Sequence, residues 1–182
     1  ICPGSLTMIH LNGQHIPAEN RYPDSFRHFT ASDYTDRSNL DNSQRLDIAS
    51  YDNATLYNDS VLGRIFSLVQ GKDAIVLYHT DHGEEIHDYR NHYGRTLEPV
   101  TPHIYNCIYH IPMVVYTTPE FRSNHADLYR RLEQAAQRPF NITHIPHLII
   151  TIGGVTTPWY RPQADPLSPL YDQDSARFGA SG

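Results

Sequence analysis

The sequence contains no Cys-x-x-Cys pair, and its two cysteines, Cys2 and Cys107, are too few for a zinc site built from several thiolates. Two buried thiols or one disulfide both remain open. No apolar run approaches the roughly 18 residues that a membrane-spanning helix needs. The first residues also lack the charged, apolar and small-residue zones of a secretory signal. Basic stripes are missing too: the formal charge is −6, and the 14 Lys and Arg are scattered, which excludes an electrostatic nucleic-acid binder. No internal repeat occurs. The chain starts at "ICPGSLTMIHL", without a Met, and enters an apolar segment within a few residues, so we read it as the carboxy-terminal piece of something longer.

What the chain does have is 12 His and 13 Tyr, a large stock of ring nitrogens and phenols able to ligate metals or bind oxyanions. Its 182 residues suffice for one domain burying about 70% of its unfolded surface. The run "LTMIHL" ending in "NGQ" predicts a buried strand that leads into a loop carrying His15. Residues 21–43 are polar and read as a surface excursion. Near-helical spacing of Leu46, Ala49, Leu56, Val61, Ile65 and Leu68 then predicts a helix over 45–69, with Gly71 as its stop. "DAIVLYHTD" has the continuous apolar character of a buried parallel strand, and "HIPMVVYTT" is a similar run. "HADLYRRLEQAAQ" predicts an amphipathic helix, and "ITHIPHLIITIGGV" is a further apolar element. The order predicts an α/β fold with a mostly parallel central sheet flanked by helices, and residues 159–182 form an irregular Pro-rich tail over the surface.

Three groups could carry chemistry. Asp81 and His82 follow the apolar run directly, at the sheet edge where loops of α/β folds gather ligands. A carboxylate and a neutral imidazole suit zinc or manganese, and Gly83 would let the chain turn so that both face one point. On these residues alone, a polar turn after a strand is the competing reading. His10 and His15 flank an Asn-Gly pair that allows the loop to fold back, bringing both imidazoles toward the same edge. The segment "IHDYRNHYGR" offers His87, Asp88, Arg90, His92 and Arg95 over Asp81, with Arg forks for phosphate oxygens and imidazoles for proton transfer.

Taken in order, "HLNGQH", "RYP", "YDNATLYNDSVLGRI", "YHTDHGEE" and "HIPMVVY" resemble the carboxy-terminal half of the phosphoethanolamine transferases. These are membrane-anchored members of the alkaline phosphatase and sulfatase superfamily. The resemblance runs from about residue 6 to about residue 170, and "YDN", the Tyr-x-Asp after it and "DHGE" are its specific parts. It implies an alkaline phosphatase-like fold of which this chain is a partial domain. It also implies zinc-dependent transfer of phosphoethanolamine from phosphatidylethanolamine to lipid A or a surface glycan, through a covalent intermediate on a threonine. Asp81 and His82 match two zinc ligands, and His15 matches a histidine near the transferred phosphate or a second zinc. His10 matches the partner of His15. The implied setting is a periplasmic domain held at the inner membrane of a Gram-negative bacterium by helices this sequence does not include.

Two departures accompany the resemblance. Where the family has a Gly-His after "DHGE", this sequence reads "HYGR", so either His92 substitutes or Arg95 supplies a positive fork to the phosphate. The nucleophilic threonine and a glutamate ligand belong to the amino-terminal half of the family's domain, so the chain by itself is expected to be inactive in transfer. The alternatives are a manganese-dependent phosphoglycerol transferase or other superfamily hydrolase, and a non-catalytic sensor or interaction domain.

Overall fold

The computed structural model describes residues 4–95 and 101–174; Cys2 and the last part of the tail, 175–182, lie outside them. The described residues form two compact units. One comprises residues up to 70 together with 76–116, and the other comprises 71–75 and the residues from 117 onward.

In the first unit, helix α1 runs Asn42–Val69. Asp41 starts it with a reciprocal cap: its carboxylate accepts the Gln44 N–H while the Gln44 side chain accepts the Asp41 N–H. Its end is set by Gly71, whose φ of 71° is a left-handed conformation that a residue with a Cβ adopts only with strain. The buried face of α1 carries Ile48, Ala49 and Ala54. Ile48 joins Leu40 and Ile86 in a core against which Tyr34, Tyr51 and Tyr93 pack. Asn53, also buried, stitches the polar excursion to the helix: its Oδ1 accepts the N–H groups of His28 and Phe29, both at 2.8 Å, and its amide donates to the Phe29 carbonyl at 2.9 Å.

Strand β1 (Ile75–His79) neighbours β4 (Met113–Thr117), and a short antiparallel ladder joins β2 (Glu85–Ile86) to β3 (Tyr93–Gly94). Helix α2 (Pro102–Tyr109) begins at Thr101 and buries Ile104 and Ile108. The strand expected at residues 6–11 does not form. Leu6, Met8 and Ile9 are exposed, at 72%, 85% and 57%, because no neighbouring strand among the described residues pairs with this segment.

The second unit holds α3 (Pro119–Asn124), α4 (Ala126–Ala135) and α5 (Ile145–Ile152), which ends at the Gly153–Gly154 pair. The described part of the tail, residues 159–174, carries a 3-10 turn, Pro162–Ala164, and does not simply lie over the surface. Leu167 and Tyr171 are buried, and the buried Asp165 carboxylate accepts from Thr151 at 2.6 Å, Tyr160 at 2.7 Å and the Leu167 N–H at 2.9 Å. A buried carboxylate with three donors is anchored, which holds the tail in place. No helix of the described residues is long and apolar enough to cross a membrane.

Candidate metal and phosphate site

Asp81 and His82 follow the carboxyl end of β1, where the chain must turn. The His82 N–H donates to Asp81 Oδ1 at 3.1 Å, which fixes the carboxylate relative to the next residue. The His82 ring nitrogen Nδ1 lies 2.9 Å from the Gly83 carbonyl. A carbonyl only accepts, so Nδ1 carries the proton and Nε2 keeps a free lone pair. Nε2 stands 3.7 Å from Asp81 Oδ2. Two ligands of one tetrahedral zinc, each at about 2.0–2.1 Å, are separated by roughly 3.3 Å, so the pair fits one zinc with little adjustment. A backbone carbonyl holding the far nitrogen is also the usual arrangement for a metal-binding imidazole.

Gly83 is required here for a reason the sequence did not convey. Its φ is not positive; what matters is that helix α2 passes against it. The Gly83 N–H donates to the Ile108 carbonyl at 2.7 Å, and a Cβ at position 83 would sit 2.1 Å from the Cys107 carbonyl oxygen. Any side chain there would displace α2 or the Asp81–His82 turn.

Glu84 is the residue that sequence reasoning passed over, although the doubled Glu after Asp-His-Gly was visible. Its side chain is 7% exposed, Oε1 lies 3.7 Å from His82 Nδ1, and Oε2 is fully buried without a hydrogen-bond partner. Burial pushes its carboxyl above the ordinary range, the nearby His82, His15 and Arg95 pull it back, and Asp81 adds to the rise; the net shift is upward. Asp81, His82, His15 and Arg95 thus all act electrostatically on this one carboxylate, and His82 is the one in direct reach.

His15 arrives there through a tight turn: its N–H donates to the Asn12 carbonyl at 3.0 Å, with Gly13 at φ 48°. Its Nδ1 is 2.6 Å from the Ile16 carbonyl, so it too keeps Nε2 free, on an exposed ring. His10 is exposed on the unpaired segment and does not complete a cluster with Asp81 and His82. No group of three His, Cys, Asp or Glu able to hold a metal occurs among the described residues.

His92 and Arg95 flank β3 on either side. Glu85 pairs with Gly94 and Ile86 with Tyr93, so one step outward Glu84 faces Arg95, and one step inward His87 faces His92. His87 leaves the ladder with a φ of 55° and its ring stacks on Tyr93, while the Arg95 charge acts on the Glu84 carboxylate. His92 Nε2 is buried without a partner. His87 and Arg90 are occupied structurally: the buried His87 Nε2 is 2.9 Å from Asp47 Oδ2, and Arg90 holds the fully buried Glu85 carboxylate through its Nε, at 2.9 Å, and its Nη2. Cys107 has a free, half-buried thiol whose pKa is raised by burial.

Comparison with known proteins shows the family. The sulfatase family model matches residues 5–154. Phosphoethanolamine transferase EptC of Escherichia coli O18:K1:H7 is 26% identical over 181 residues, covering 97% of this chain and 30% of that protein. Kdo(2)-lipid A phosphoethanolamine 7''-transferase of Salmonella typhimurium is 28% identical over 134 residues, covering 72% of this chain and 23% of that protein. The crystal structure of the carboxy-terminal periplasmic domain of EptC from Escherichia coli superposes with a TM-score of 0.73 at 25% identity, over 88% of this chain and 44% of that one. Its complex with Zn gives a TM-score of 0.71 at 23% identity, over the same shares. This chain therefore spans less than a third of the length of these curated relatives and under half of the solved domain.

Proposed function

The chain belongs to the sulfatase family, and from that premise we propose that it forms the carboxy-terminal part of the catalytic domain of a zinc-dependent phosphoethanolamine transferase. The relatives that span most of this chain carry that name, and a relative's domain has been crystallised with Zn. The observation that carries the reading is the Asp81–His82 pair, with Oδ2 and Nε2 3.7 Å apart and the other imidazole nitrogen tied to a carbonyl. Asp81 and His82 supply half of a four-ligand zinc site. A glutamate and the nucleophilic threonine, from the amino-terminal part of the same domain, supply the rest. When bound, zinc acidifies the attacking hydroxyl and offsets charge on the phosphoryl oxygens.

The donor in this reading is phosphatidylethanolamine, and the acceptor is lipid A or another surface glycan, met at the outer face of a bacterial inner membrane. Arg95, whose charge acts on the Glu84 carboxylate, binds the phosphoryl oxygens in the position where the family has a histidine; its fork suits an oxyanion. His15, with Nε2 free, hydrogen-bonds the same phosphoryl group and transfers a proton at its leaving or entering oxygen. His10 remains a candidate ligand for a second metal together with His15. His92 has no role at the phosphate.

Transfer of phosphoethanolamine to lipid A, followed by mass spectrometry in cells carrying the full-length gene, tests the reading. His82→Ala and Asp81→Ala are expected to abolish the modified species at normal protein levels. Full modification by both variants would refute it.

A further inference from the structure

A cavity of about 220 Å³ lies beside the His15 turn, between residues 11–21 and helix α1. Leu11, Gly13 and Val61 line it together with the polar Asn12, Asn20, Arg21, Tyr57 and Asn58; Arg21 is the one charged residue of that lining, so an anion entering it meets a cation. Arg21 is oriented in advance. Its Nε donates to the His15 carbonyl at 2.7 Å, and its two terminal nitrogens have no partner among the described residues. Asn58 is 7% exposed; its amide nitrogen donates to the Tyr78 hydroxyl at 2.9 Å, which leaves Oδ1 as the atom facing Gly13, 3.9 Å from where a Cβ would stand. The cavity thus offers a double donor for an oxyanion and a fixed acceptor for an O–H or N–H.

We propose that this cavity is a binding site for a small phosphate ester, with its phosphate on the Arg21 fork and an ammonium or hydroxyl on Asn58 Oδ1. Its volume is below the roughly 300 Å³ at which drug-sized ligand sites begin, so it admits a headgroup rather than a whole lipid. The identity of the ester rests on the proposed transfer reaction: phosphoethanolamine from the donor, or a hydroxyl-bearing phosphate of the acceptor. The site itself does not depend on that reaction. Because Arg21 bonds the His15 carbonyl, an occupant reinforces the turn that presents His15.

The experiment is isothermal titration of the full-length protein carrying Asp81→Ala, which disables the zinc pair and leaves the cavity intact. The probes are O-phosphoethanolamine, glycerol 3-phosphate and inorganic phosphate. Millimolar or tighter binding of both esters is expected, with inorganic phosphate weaker because it lacks the arm that reaches Asn58. Adding Arg21→Gln or Asn20→Asp should weaken the esters about tenfold or more, by removing the fork or placing a negative charge in the lining. Asn20 is exposed, so its variant decides the question even if Arg21→Gln fails to fold. Preference for phosphoethanolamine assigns the cavity to the donor headgroup, and preference for glycerol phosphate assigns it to the acceptor. No binding at millimolar concentration, or affinities unchanged by Asn20→Asp, overturns the site. Equal affinity for all three probes overturns the role of Asn58. If transfer proves absent from the unmutated protein while these titrations hold, the proposed function falls and the cavity stands.

Discussion

At the scale of single residues, the stability of the β2–β3 region rests on Glu85. Burial alone would raise its pKa, but the Arg90 guanidinium and backbone N–H outweigh that effect and hold it below the ordinary value of 4.5. A depressed carboxyl stabilises the fold above its unfolded pKa and loses that contribution as pH falls through the folded value. The melting temperature should therefore drop below about pH 4.5 in the unmutated protein. In Glu85→Gln this acid-side loss should shrink, and at neutral pH the variant should melt lower, because the carboxylate of the Arg90–Glu85 ion pair is lost. Thermal melts at pH 3.5–7 measure both. The same hairpin distinguishes two functional assignments: Arg95→Ala should lower transfer about a hundredfold, and His92→Ala should leave it within a few-fold. Equal losses in the two variants, measured as kcat/KM on the full-length protein, would contradict the assignment of the phosphate to Arg95.

At the scale of elements, the long helix was legible because its spacing of apolar residues and its Gly71 stop act locally; the structure adds only the cap at Asp41 and three residues at the start. β1 and β4 were legible as continuous apolar runs. The segment at 6–11 has the same apolar look but forms no strand, since a strand exists only against a neighbour and composition does not show whether one is there. The candidate site was half legible. Asp81, His82 and His15 were visible as residue types, whereas the burial of Glu84, the action of Arg95 on it and the packing of α2 on Gly83 arise from tertiary contacts. That last contact is testable. Gly83→Ala places a Cβ 2.1 Å from the Cys107 carbonyl oxygen, so the turn or α2 must move; the variant should lose bound zinc and melt lower, unlike Gly63→Ala, where a Cβ meets open space. Retained zinc and an unchanged melting temperature in Gly83→Ala would show that the close approach is not maintained in solution.

At the scale of the whole molecule, the described residues fold into two compact units, and Asp81, His82, Arg95 and the small cavity all belong to the first. The relatives are more than three times as long as the matched segment, so in this account the site is completed by chain that these residues do not contain. In the proposed function Asp81 and His82 hold zinc. That binding is tested most directly by the zinc content of the purified full-length protein, measured by elemental analysis beside that of Asp81→Ala and His82→Ala after matched exposure to a weak chelator. The prediction is about one tightly held zinc per chain in the unmutated protein and loss of it in both variants, with circular dichroism unchanged. Equal zinc in all three proteins, or none in any, would contradict it.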